Sequence, residues 1–99
     1  MSLFSFFSSS AKYSQERHFI SHEEIEHFFR GKHWSSVSED EEDLVKAGIL
    51  SARDGNGKIS LRRVYEVLKS FEYKHKISPA DRKILMRDLE SYLNEKFAD

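Results

Sequence analysis

The chain has 99 residues and a formal net charge of -1. That length supports one small core, hence one domain. The near-neutral balance argues against a dedicated nucleic-acid surface, which shows itself as a strong basic excess. With no cysteine, disulfide staples, thiolate zinc sites and a cysteine nucleophile are excluded together, and the cytosol is the expected compartment.

The N-terminal "MSLFSFFSSS" places Leu3, Phe4, Phe6 and Phe7 among serines. Its apolar run is shorter than a secretory h-region and lacks the flanking signals of one, and nothing in the chain approaches the ~20 apolar residues of a membrane span. The chain therefore reads as soluble. Residues 1–20 read as a Phe/Ser-rich segment, docked or flexible, ahead of a single helical domain over 21–99. Phe4, Phe6 and Phe7 are candidate protein-binding residues, and "AKYSQERHF" tolerates an extra helix around 11–19.

Helix starts follow in order. A serine with glutamate three residues later satisfies two orphan amides reciprocally. Ser21 with Glu24 and Ser38 with Glu41 fit that pattern, Ser60 is a further cap, and Ser78 caps a helix opened by Pro79. Periodicity agrees. Ile25, Phe28 and Phe29 share a face over 22–30, with Gly31 ending the helix. Leu44, Val45, Ala47 and Ile49 give an apolar surface from 39 to about 50. Leu61, Val64, Tyr65, Leu68 and Phe71 repeat over 61 to about 74, and Leu85, Met86, Leu89, Tyr92, Leu93 and Phe97 run to the end.

The expectation is an all-α bundle of about four helices and no strands. Its core is Phe28, Phe29, Val45, Ile49, Val64, Leu68, Phe71, Leu85, Leu89 and Leu93, with Trp34 and Tyr65 at the edge.

Between the second and third helices lies "ARDGNGKISLRR", residues 52–63. Its central "DGNGKIS" resembles the twelve-position loop of the EF-hand family, with Asp54 at position 3, Asn56 at 5, Gly57 at the sharp turn, Lys58 at 7, Ile59 at the bridging position and Ser60 at 9. The resemblance implies a helix, loop, helix unit and, if calcium binds, ligation through Asp54, Asn56, Lys58 and Ser60. The ends depart from it. Ala52 stands where position 1 needs a carboxylate, and Arg63 where position 12 needs a bidentate glutamate. A hard dication needs six to eight oxygens, so no metal or cofactor is expected. "DGxGxIS" between helices also resembles the turns of tellurite-resistance type helical domains, with Arg63 again replacing an acidic residue.

An EF-hand loop pairs with a second one, yet the only similar position, Ile77, lies one helix and about 20 Å beyond Ile59. A loop without a partner invites pairing with another copy, a homodimer.

The other candidates are bland. His18, His22 and His27 lack the His-Glu-x-x-His spacing of zinc proteases, and Glu23 with His27 suits an i,i+4 surface pair. Phosphate loops, nucleophile elbows and opposed carboxylates are all missing, so the chain reads as non-enzymatic. Residues 39–43 are all acidic, as a helix N-terminus favours. Residues 58–76 are basic, and Arg62 and Arg63 begin the third helix much as a recognition helix of a helix-turn-helix would, although "DGNG" makes a long turn for that motif.

The sequence thus points to a non-catalytic protein-interaction or regulatory module with a degenerate calcium loop, contacting partners through the Phe-rich segment and Arg62 and Arg63. A calcium-responsive sensor is the alternative, and a helix-turn-helix-like nucleic-acid binder a further one.

Overall fold

The computed structural model describes residues 12–97, apart from residue 33 and the side chain of Phe97. Phe4, Phe6 and Phe7 lie outside the described residues. The order is β1 (Arg17–Phe19), α1 (His22–Arg30), α2 (Glu39–Ala52), β2 (Lys58–Ser60), α3 (Leu61–Tyr73) and α4 (Pro79–Phe97). Among the described residues four helices dominate, and α3 is central, packing on both α2 and α4 while α1 packs on α2.

The helix boundaries follow from local chemistry. Ser21 Oγ accepts from the Glu24 amide at 3.1 Å, and Glu24 Oε1 accepts from the Ser21 amide at 2.8 Å. Ser38 and Glu41 repeat this reciprocal box at the start of α2. Ser60 caps α3 through the Arg63 amide at 3.1 Å, but the third helical residue is arginine, so no acidic side chain completes the box. The α3 C-terminus closes with His75 at φ 60, and the Lys76 amide donates back to Phe71 O at 2.8 Å. That left-handed residue with a six-to-one hydrogen bond is a Schellman ending.

The core draws on all four helices and on β2. Val45, Val64, Leu68, Leu85 and Leu89 are fully buried, and Ile25, Phe28, Phe29, Ile49 and Leu93 nearly so. Phe71 only partly enters the core, and its ring lies over Gly48 of α2. Tyr65, expected at the edge, is 3% exposed. Tyr13 lies across it with ring centroids 4.9 Å apart. Trp34 stays at the edge, donating from Nε1 to Asp88 Oδ2 at 2.7 Å. Among the described residues, no helix is long and apolar enough to cross a membrane.

Two expectations are corrected. Strands do occur: β1 and β2 form an antiparallel pair with Arg17 opposite Ser60, His18 opposite Ile59 and Phe19 opposite Lys58. Residues 17–19 are accordingly extended and not helical. Ladder pairing, together with full burial of Ile20 just beyond it, outweighs the weak helix tolerance of "AKYSQERHF". The bridging position of the loop therefore finds its partner within the chain.

Candidate functional site

The loop between α2 and α3 turns at Gly57, whose φ of +77 favours glycine. Asp54 organises it. Its Oδ1 accepts from the amides of Asn56 at 2.8 Å and Lys58 at 3.0 Å. Its own amide donates to Lys58 O at 2.8 Å, and Asp54 O accepts from Gly57 N at 2.9 Å. Oδ2 lies 3.2 Å from Arg17 Nη1 of β1. The amides of Lys58 and Asn56, with the charges of Arg17 and Lys58 behind them, outweigh burial and hold the Asp54 carboxyl below its ordinary value.

Arg53 fastens the loop from the other side. Its Nη1 donates to Ile20 O at 2.8 Å and its Nε to Leu50 O at 3.2 Å. The Ile20 amide in turn donates to Gly57 O at 3.1 Å, prolonging the ladder past the end of β1.

An open depression lies over this loop, lined by Gln15, Arg17, Ala52, Asp54, Lys58, Ile59, Ser60, Arg62, Arg63 and Glu66. Ala52, Asp54, Lys58, Ser60 and Arg63 are positions 1, 3, 7, 9 and 12 of the loop, the positions that would supply oxygens to a cation. This donor set does not fit calcium. Ala52 has no side-chain oxygen and Arg63 brings a positive charge. Asp54 Oδ1 and the Lys58 carbonyl are engaged by donors inside the loop. Ser60 Oγ is engaged by the α3 cap.

The depression joins Arg62 and Arg63 with residues far away in sequence. Arg62 is tied to the segment before β1, its amide donating to Ser14 O at 3.0 Å and its Nε to Tyr13 O at 3.2 Å. Arg63 Nη1 lies 3.4 Å from Glu66 Oε1, with its side chain 53% exposed. Sequence reasoning missed Arg17, Gln15 and Arg53, for which only the cationic character of the arginines gave any signal.

Among the described residues, the histidines are not gathered with other ligand side chains into a metal-holding group. His18 Nε2 lies 3.6 Å from Glu16 Oε1, and the i,i+4 pair on α1 forms between His22 and Glu26 at 3.1 Å, one residue before the expected Glu23 and His27. Glu26 also meets Lys46 of α2 at 3.1 Å. The Lys46 hydrogen bond comes first, then that of His22, and together they hold Glu26 low. Among the described residues, no three His, Cys, Asp or Glu side chains are placed to hold a metal ion.

Comparison with protein-family models, with curated proteins and with solved structures yields no match.

Proposed function

We propose that the chain is a non-catalytic protein-interaction or regulatory module in which the calcium-like loop acts as a structural clasp. The observation that carries this reading is the engagement of Asp54. Both of its carboxylate oxygens are answered by protein donors, Oδ1 by two loop amides and Oδ2 by Arg17. A cation entering here would have to displace those donors and face Arg63 in place of a bidentate glutamate.

As a clasp, the loop has a clear task. It holds α2 and α3 at a fixed angle and presents β2 to β1, so that the segment before α1 is fastened to the bundle. Arg62 and Arg63, at the open end of this arrangement, are the proposed contact residues toward a partner. Phe4, Phe6 and Phe7 form a second proposed contact. A cytosolic setting belongs to the same proposal, on the strength of a chain without cysteine.

Calorimetric titration with calcium, paired with thermal melts in calcium and in chelator, tests the reading. The expected result is no heat of binding and superimposable melts. Micromolar binding with a raised melting temperature would overturn it and establish a calcium-responsive sensor.

A further inference from the structure

We propose that the depression over residues 52–63 binds carboxylate side chains of an acidic segment in a partner protein. This rests on the interaction-module reading and names the partner chemistry for it.

The argument begins with an inversion of charge. The place where a twelve-position loop gathers oxygens around a cation is walled here by Arg17, Lys58, Arg62 and Arg63, against Asp54 and Glu66. Both carboxylates are already answered. Asp54 accepts two loop amides and lies against Arg17, and Glu66 lies against Arg63. The balance left over is cationic.

Two of the guanidinium groups are accessible. The Arg17 side chain is 64% exposed and that of Arg63 53%. Each retains donors beyond the single nitrogen that meets its carboxylate, and a guanidinium fork matches a carboxylate bidentately. Arg62 adds a further guanidinium to the lining, its Nε donating to Tyr13 O. Lys58 is exposed on β2 and adds an ammonium to the lining.

The backbone leaves the recognition to these side chains. In the first turn of α3, the Arg62 amide donates to Ser14 O and the Arg63 amide to Ser60 Oγ, so neither is left for an anion. A nucleic-acid backbone calls for cations spread along successive phosphates, whereas these cluster in one depression of a chain with net charge -1. A short stretch of peptide carrying several carboxylates matches that extent.

The test is fluorescence anisotropy of labelled hexaglutamate titrated with the full chain. Saturable binding is expected. It should weaken by about tenfold or more as salt rises from about 0.1 M to about 1 M, which shortens the screening length from about 10 Å to about 3 Å. A Lys58→Gln/Arg63→Gln variant and Lys58→Glu alone are each expected to lose about tenfold in affinity, with melts confirming that both fold. Lys83→Gln, exposed on α4, should bind as the parent does. Absence of saturable binding, equal affinity in the Lys58 and Arg63 variants, or tighter binding of a DNA duplex or inorganic phosphate than of hexaglutamate would overturn the proposal. Those outcomes strike this site alone, whereas calcium binding in the calorimeter strikes the module reading beneath it.

Discussion

Ile59 stands opposite His18 in the β1–β2 ladder, so the strand edge that follows the loop is covered by its own chain. Removal of residues 1–20 would uncover that edge, delete the fully buried Ile20 and strip Tyr13 from Tyr65. Losing one buried isoleucine alone forfeits about 1.5–3 kcal/mol, and a bare strand edge is a template for another copy. The 21–99 fragment is therefore expected to unfold at markedly lower denaturant concentration than the full chain and to self-associate more strongly in sedimentation runs. A fragment as stable as the parent, with the same association behaviour, would show that the ladder carries no weight.

Among the described residues, two positions occupy the left-handed region, and only one has the residue suited to it. Gly57 has φ 77, while His75 has φ 60. His75→Gly should stabilise the chain by about 1 kcal/mol, because an L-side chain in that region costs about 1–2 kcal/mol and glycine's larger unfolded-state entropy returns part of the gain. Gly57→Ala should cost at least as much as that strain, since its new β-carbon would also lie 2.9 Å from Phe19 Cε2. Urea melts of the two variants should shift in opposite directions, and a shared direction would refute the argument.

Leu68 of α3 and Leu89 of α4 are both fully buried. Truncation of either to alanine should cost about 2–5 kcal/mol, the range for a buried leucine whose surroundings relax only in part. Chemical denaturation measures this directly. A cost near zero at either site would contradict the packing of α3 on α4.

The helices were legible because each carries two concordant signals, a capping serine and an apolar period. Ser21 with Glu24 and the Ile25, Phe28, Phe29 face set α1 at 22–30, and the structure agrees. β1 had neither signal. Arg17, His18 and Phe19 are too few to show alternation, and their extended shape comes from tertiary partners, with Arg17 reaching Asp54 across 37 positions. The burial of Tyr65 was hidden for the same reason, since its cover, Tyr13, belongs to that segment. Of the site, the loop positions came from the resemblance of "DGNGKIS" to an EF-hand loop, whereas Arg17 and Gln15 join it only through the fold.

Gly48 illustrates a limit of helix propensity. In an exposed helix interior, Gly→Ala gains about 1 kcal/mol. Here a β-carbon would lie 2.6 Å from Phe71 Cε2 and 3.2 Å from Val67 Cγ1, so α2 and α3 approach over a missing side chain. Gly48→Ala should be destabilising by about 1–3 kcal/mol, as overpacking generally is. The same substitution in a Phe71→Ala background should become neutral or stabilising. A double-mutant cycle on denaturation free energies reads the coupling, and additive effects would separate Gly48 from Phe71.

Stability should fall at the acid edge, with a sign fixed by the paired carboxylates. Glu72 accepts from Arg82 Nε at 2.7 Å, with both side chains at least four-fifths buried. The Arg82 hydrogen bond comes first, and with the charges of Arg82 and Lys69 it overcomes burial to hold Glu72 below its ordinary 4.5. Burial is the largest influence on Asp88 and acts upward. The Trp34 and Arg87 hydrogen bonds, with nearby positive charge, outweigh it and leave that group below 3.8. Between folded and unfolded values the unfolded chain holds more protons. The contribution of each carboxylate is thus complete above its unfolded value and is lost as pH falls through its folded one. Lys46 is shifted the other way, raised from 10.5 chiefly by its hydrogen bond to Glu26. Its contribution is complete below 10.5 and disappears as pH rises through the folded value. These groups therefore contribute fully between 4.5 and 10.5 and lose ground on either side. Arg82→Gln should lower stability at neutral pH, and its deficit relative to the parent should narrow as pH drops below 4.5, where protonation of Glu72 removes the pairing from the parent as well. Urea denaturation across pH measures that deficit. A gap that stays constant into strong acid would mean that Arg82 acts through its contact with the Tyr65 ring, 5.8 Å away, and not through the charge of Glu72.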